Sequence, residues 1–92
     1  MITVPVRLPT PLRPLADGRA EVEVPADTVG EALSTLVARY PTLRRHLYDE
    51  DGALRDYVNA FVNEDDVRVL DGSATKLAPG DRLTILPSIA GG

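Results

Sequence analysis

The residues best suited to take part in a reaction are the last three of the chain, Ala90-Gly91-Gly92. A free α-carboxylate is a poor electrophile, but coupling it to AMP forms a mixed anhydride that a sulfur or nitrogen nucleophile can displace. The carboxylate of Gly92 would have to enter the active site of another protein, and glycines suit this because they lack Cβ and allow close backbone approach. Ile89, the last bulky side chain, could anchor the base of the tail. The alternative explanation of the same residues is a terminus that simply frays.

The rest of the sequence offers little that would catalyse a reaction or hold a metal. His46 is the lone histidine, cysteine is absent, and no serine or carboxylate stands at a recognised motif spacing from His46. Residues 49–52 begin like a calcium loop, but Ala53 falls where the third ligand should be and Ala60 where the closing glutamate should be. We therefore expect no catalytic residue and no metal site.

Charge argues for a protein partner. Lys and Arg number 10 against 14 Asp and Glu, a formal net charge of -4 that disfavours a sequence-independent grip on phosphates. The pair Arg44-Arg45 is too small a basic patch for nucleic acid and lacks interleaved aromatic residues. The acidic run at 64–66 could bind a metal or a partner, although such residues at a hairpin tip are usually solvated.

Length and hydropathy indicate one small domain. The 92 residues suit a single modest core, and no stretch approaches the ~18 apolar residues of a membrane span. The first nine residues lack the basic stretch and long apolar run of a secretory signal. We expect a cytoplasmic protein that binds neither membrane nor nucleic acid and is monomeric when free. Residues 1–87 are expected to form the domain and residues 88–92 a flexible tail.

Two strands are predicted at the start of the chain. Residues 2–8 alternate apolar with other side chains, and Pro5, which cannot donate a ladder hydrogen bond, predicts an exposed edge or a bulge there. The proline-rich residues 9–18 are predicted to form a loop. A second alternating strand is predicted over 20–24, with Pro25 ending it.

One main helix is predicted to follow. Thr28-Val29-Gly30-Glu31 has the spacing of a capping box, and Pro41 closes the helix after Tyr40. A helical turn is expected at 43–47. The apolar stripe that would face a sheet consists of Val29, Ala32, Leu33, Leu36, Val37 and Tyr40.

The second half of the chain returns to strands, predicted at 57–63, 67–69 and 82–86, with a type II turn at 77–81 that places Pro-Gly at its central positions. This order predicts an α+β fold, one helix across one face of a mixed four- to five-stranded sheet. If the first and last strands pair centrally, the tail leaves the sheet from its middle. The pattern does not decide whether four strand residues belong to the core or to a docking surface, although we expect most of them in the core. They are Phe61, Val62, Leu83 and Ile85.

Three features are specific in combination: the turn Leu77-x-Pro79-Gly80-Asp81, the strand 83–87, and the ending Ala90-Gly91-Gly92. With the order of elements, they resemble the ThiS/MoaD group of ubiquitin-like β-grasp proteins over nearly the whole chain. The resemblance implies a β-grasp fold and a carrier rather than an enzyme. An adenylating activating enzyme, using ATP and Mg²⁺, would convert the carboxylate of Gly92 to a thiocarboxylate. Ile89, Ala90 and Gly91 would be threaded into partners, and the chain itself would bind no cofactor.

Within that group, residues 9–14, 62–68 and 86–92 look most like the CysO-type carriers of cysteine biosynthesis. The resemblance implies two further partners. A pyridoxal-phosphate-dependent cysteine synthase would supply an activated serine to receive the sulfur, and a zinc peptidase would release cysteine from the carrier. The same ending also occurs in the small subunit of molybdopterin synthase, in thiamine and tRNA-thiolation sulfur carriers, and in ubiquitin-like protein modifiers, which stay open as alternatives.

Overall fold

The computed structural model describes residues 2–55 and 58–87. The strands and α-helices along the chain are β1 (Ile2–Arg7), β2 (Glu21–Ala26), α1 (Val29–Arg39), α2 (Arg44–Leu47), β3 (Val58–Val62), β4 (Asp65–Asp66) and β5 (Leu83–Pro87). Short 3₁₀ helices cover Thr10–Ala16, Pro41–Leu43, Val67–Val69 and Gly72–Ala74.

The strands form one mixed sheet in the order β2-β1-β5-β3-β4. β1 is antiparallel to β2 and parallel to β5, whereas β3 is antiparallel to both β5 and β4. α1 packs on one face of this sheet. The predicted β-grasp arrangement is thus confirmed, and the first and last strands, β1 and β5, do pair inside the sheet.

The core lies between α1 and the sheet. Four residues of the predicted stripe on α1 are buried, and Val37 and Tyr40 are partly buried against them. Of the four undecided strand residues, three are in the core: Val62, Leu83 and Ile85. Phe61 is half-buried on the opposite face of the sheet, because strand side chains alternate between faces.

The predicted capping box starts α1. The Oγ1 of Thr28 accepts from the backbone N–H of Glu31 at 3.2 Å, and the Glu31 carboxylate accepts from the N–H of Thr28 at 3.2 Å and of Asp27 at 2.8 Å. Next to it, Gly30 lets the chain at Ser73 approach closely, since a Cβ on Gly30 would lie 3.1 Å from the Ser73 carbonyl oxygen. The start of α1 is therefore fixed by side chains and by a neighbouring segment.

The proline-rich segment is helical rather than the predicted loop. Thr10–Ala16 forms a 3₁₀ helix, which suits prolines because their fixed φ is close to the 3₁₀ value. Ala16 is buried, and Arg13 donates from Nε to the Leu8 carbonyl at 3.1 Å. Packing therefore orders a segment whose composition predicted only a connection.

Pro25 does not end the second strand, because β2 continues to Ala26 at the edge of the sheet. Leu8 N–H donates to Ala20 C=O at 2.8 Å, so Leu8 and Ala20 are a hydrogen-bonded pair. Hydrogen-bonded and non-hydrogen-bonded pairs alternate from there along β1 and β2. By that alternation Glu21, Glu23 and Pro25 direct their backbone groups away from β1. The missing N–H of Pro25 consequently removes no hydrogen bond of the sheet.

Pro5 produces no bulge, since the register of β1 with β2 is continuous through the pair Pro5 and Glu23. The same alternation directs the nitrogen of Pro5 toward β5. Pairing of β1 with β5 begins one residue later, at Val6 with Leu83. Pro5 is therefore tolerated inside the sheet because its nitrogen lies before the first residue of β1 that pairs with β5.

The short strand predicted at 67–69 is wrong. Val67–Val69 is a 3₁₀ helix, and the two-residue strand β4 lies just before it. Asp66 causes the change, because its Oδ1 accepts from the N–H of Arg68 at 2.8 Å and bends the backbone. The helical turn expected at 43–47 is confirmed by α2. The strand predicted at 57–63 is confirmed over Val58–Val62; Tyr57 is outside the described residues, and Asn63, with a φ of 58°, belongs to the turn that follows.

Candidate functional site

The described chain ends at Pro87, the last residue of β5 in the middle of the sheet. Ile89, Ala90, Gly91 and Gly92 lie outside the described residues, so their assignment to activation and threading stays a prediction, as does the domain boundary at 87. The geometry of the site is therefore that of the tail root, which we define as Leu86 and Pro87 together with Val58 and Asn59 opposite them.

The tail root is held from one side. Asn63 N–H donates to Arg82 C=O at 2.8 Å, and the register from this pair makes Asn59 and Leu86 a hydrogen-bonded pair. The pairing of β5 with β1 covers only Leu83 and Thr84. Beyond those two residues, β3 is the strand that holds the end of β5.

Arg68 braces β3 at the tail root. Its Nη2 donates to the Val58 carbonyl oxygen at 3.1 Å and its Nη1 to Asn59 Oδ1 at 3.2 Å. Its backbone is fixed by Asp66 through the hydrogen bond described above. Sequence reasoning missed this role, because nothing in the spacing of Arg68 indicates that it reaches residues nine and ten positions earlier.

The surface around the tail root includes exposed apolar side chains. Leu86 is 45% exposed on the sheet face opposite α1, where Phe61 is also half-buried. Val69 and Leu70, directly after Arg68, are 76% and 40% exposed. These three are the exposed large hydrophobic residues of the described part of the chain.

The predicted type II turn fixes the other end of β5. Asp81 N–H donates to Ala78 C=O at 3.0 Å, and Gly80 takes a φ of 92°, which favours glycine. Asp81 Oδ2 accepts from Ala78 N–H at 2.8 Å, and Oδ1 accepts from Asn63 Nδ2 at 3.0 Å. Arg82 N–H in turn donates to Asn63 Oδ1 at 3.1 Å. The Pro-Gly-Asp turn is thus a structural anchor for the strand that leads to the tail.

Other candidates do not form a site. Asp49 caps a turn, its Oδ1 accepting from the N–H of Asp51 at 2.9 Å and of Ala53 at 3.1 Å. Over residues 2–55 and 58–87, no group of three or more His, Cys, Asp or Glu side chains is placed to hold a metal ion. His46 is half-buried in α2. None of the helices in these ranges is long and apolar enough to span a membrane.

The chain is similar to a known protein family over most of its length. A family model described as the ThiS family matches residues 6–92. Sulfur carrier protein CysO of Mycobacterium tuberculosis is 43% identical over 93 residues, covering 99% of this chain and 100% of the relative. The crystal structure of Mycobacterium tuberculosis CysO has a TM-score of 0.85 at 42% identity, covering 94% of this chain and 99% of the other.

Two further relatives widen the comparison. A chain in the crystal structure of the Amycolatopsis orientalis BexX/CysO complex has a TM-score of 0.86 at 37% identity, covering 97% of this chain and 99% of that one. Small archaeal modifier protein 3 of Haloferax volcanii is 43% identical over 65 residues, 71% of this chain and 70% of that protein. The full length is thus similar to a named sulfur carrier, and a shorter segment to a named modifier.

Proposed function

Because this chain belongs to the ThiS family, we propose that it is a sulfur carrier whose Gly92 carboxylate is adenylated and converted to a thiocarboxylate. The observation that carries the proposal is the placement of β5. The strand that leads to Ala90-Gly91-Gly92 is central and is anchored at its start by Asp81, and its end pairs with the part of β3 that Arg68 braces. We infer that this strand directs a slim terminus toward partners.

The chemistry belongs to partner enzymes. The Gly92 carboxylate attacks the α-phosphate of ATP, pyrophosphate leaves, and an acyl-adenylate forms. A sulfur nucleophile then attacks the carbonyl carbon, the bond to the AMP oxygen breaks, and sulfur takes its place. ATP and Mg²⁺ are used by the activating enzyme, and this chain contributes the reacting terminus without acting as an enzyme.

We assign the sulfur to cysteine biosynthesis, supported by the full-length similarity to sulfur carrier protein CysO. The thiocarboxylate sulfur attacks an activated serine on a pyridoxal-phosphate-dependent cysteine synthase, where a C–S bond forms and the leaving group of the serine departs. A zinc peptidase then adds water across the bond between the Gly92 carbonyl and cysteine, which frees cysteine and restores the Gly92 carboxylate. The molybdopterin, thiamine and tRNA-thiolation routes are the competing destinations.

Intact mass spectrometry tests the proposal. After incubation with an adenylating enzyme from the same genome, ATP and sulfide, the protein should gain the mass difference between sulfur and oxygen. A Gly92 deletion is the matched control and should gain nothing. Sulfur uptake by the deletion variant would reject Gly92 as the acceptor.

Protein modification is a second candidate, favoured by the similarity to small archaeal modifier protein 3. In that case a lysine amine attacks the acyl-adenylate, AMP leaves, and an isopeptide bond forms. Lys76 is the only lysine of this chain and is exposed, so it is the one side-chain amine at which copies could be linked. Adducts of higher mass that resist reducing agents would favour modification over sulfur transfer.

A further inference from the structure

At the end of β3 beside the tail root, β4 no longer pairs with β3, and the N–H of Val58 donates instead to the Arg55 carbonyl at 2.9 Å. By the register with β5, Val58 directs its backbone groups away from β5 and toward the side of β4. β4 is only two residues long and pairs with Phe61 and Val62, so it stops short of Val58. The Arg68 guanidinium occupies this position instead, on the Val58 carbonyl and on Asn59 Oδ1.

The brace acts at the level where β5 ends. Asn59 is paired with Leu86, and Val58 stands opposite Pro87. Since the pairing of β5 with β1 covers only Leu83 and Thr84, fraying of Val58 and Asn59 would release the end of β5 as well. A strand end that frays loses conformational entropy when a partner fixes it, and this loss weakens binding.

We propose that Arg68 is a positioning residue for activation: by bracing Val58 and Asn59 it fixes the direction in which the tail leaves the sheet, so that a partner receives a preorganised terminus. This inference rests on the proposed function. It assigns to Arg68 no contact with the reacting atoms. Its loss should therefore weaken productive binding of the carrier and leave the chemical step intact.

Arg39 provides a matched control. It donates from Nη1 to the Glu23 carbonyl at 2.9 Å, on the opposite edge of the same sheet. Arg68→Gln and Arg39→Gln each remove one positive charge and a guanidinium bond to an outward strand carbonyl. Only the first variant touches the tail root. In Arg68→Lys the ammonium, a point donor, cannot reproduce the two-pronged contact, so an intermediate effect is expected.

Two measurements test the proposal. In native-state hydrogen exchange, Arg68→Gln should speed exchange of the Leu86 amide, which is paired with Asn59, about threefold to tenfold. The Thr84 amide, two residues back and opposite the part of β3 that β4 covers, should be unchanged. In pyrophosphate-release assays with an adenylating enzyme from the same genome, KM for the carrier should rise about threefold to tenfold with kcat unchanged. Arg39→Gln should show neither effect.

The contrary outcomes are distinct. Unchanged Leu86 exchange in Arg68→Gln, an equal KM rise in Arg39→Gln, or a fall in kcat at constant KM would each overturn the positioning role. So would faster exchange without a KM change, since Arg68 would then only stabilise the strand. If the unaltered chain were not adenylated at all, the proposed function would fail, while Leu86 exchange would still decide whether Arg68 holds the tail root.

Discussion

Arg39, at the end of α1, donates from Nη1 to the backbone carbonyl of Glu23 at 2.9 Å on the outward edge of β2. Arg68 makes the equivalent contact with the Val58 carbonyl beside β4. An arginine side chain thus occupies an outward carbonyl on each side of the sheet. Unpaired strand edges are templates for pairing with other chains, so these contacts favour a monomer.

Uncovering the β2 edge should promote self-association. Arg39→Ala frees the Glu23 carbonyl, and adding Pro25→Val supplies an outward N–H in the same strand. We expect the double variant to form dimers through β2 in analytical ultracentrifugation. Arg19→Ala, which removes an exposed arginine from the preceding turn, serves as the control. A double variant that stays monomeric at the highest soluble concentration would contradict the edge-covering role.

Loss of the capping box should destabilise the fold measurably. Thr28→Ala removes the acceptor for the Glu31 N–H, and such N-cap changes cost about 1 kcal/mol. The free energy of unfolding in urea gives the difference. Thr42→Ala, at an exposed position, should lie within about 0.5 kcal/mol of the original protein. Equal unfolding free energies of the two variants would show that the capping box adds no measurable stability.

The contact between Asn63 and Asp81 should be cooperative. Asp81→Ala removes acceptors for Ala78 N–H and Asn63 Nδ2, with an expected loss of about 1–2 kcal/mol. A double-mutant cycle with Asn63→Ala should give a coupling energy of about 0.5 kcal/mol or more, because the residues share a hydrogen bond. Asp65→Ala, an exposed carboxylate on β4, is the control. Strict additivity would show that the pair does not act as a unit.

Tyr48 should make stability fall at alkaline pH. Burial raises the pKa of Tyr48 above its ordinary value of 10.0, and Arg44 partly offsets this. Above pH 10.0 the unfolded chain therefore releases the phenol proton before the folded chain does, and stability decreases through the folded pKa. Unfolding free energies measured across this window should fall less steeply in Tyr48→Phe. If the unfolding free energy of Tyr48→Phe fell with pH as steeply as that of the original protein, a group other than Tyr48 would cause the alkaline loss of stability.

The features that were predictable depend on short-range patterns. The capping box at Thr28 needs two residues three apart, and the turn at 78–81 needs Pro-Gly at its centre. The missed features depend on distant neighbours. Pro25 fits within β2 because that strand lies at an edge, a property of the whole sheet. The 3₁₀ helix at Val67–Val69 follows from one side-chain hydrogen bond of Asp66.

The two arginines at the sheet edges show the same limit for the candidate site. Arg39 reaches back 16 residues and Arg68 ten, and neither separation has a signature in sequence. The chemistry proposed for the terminus rests on residue type alone, because glycines and a carboxylate suggest it without tertiary context. The support at the tail root depends instead on the position of the Val58 carbonyl, which lies beyond the end of β4 and accepts from Arg68.

The parallel pair of β1 and β5 joins Val6 to Leu83, almost the full chain apart. Contacts of such long sequence separation slow folding, since a large loop must close before the pairing can form. During synthesis β1 and β2 can form a hairpin early, but the middle of the sheet stays empty until the final strand leaves the ribosome. Closure of the sheet therefore waits for the strand that leads to the proposed reactive terminus.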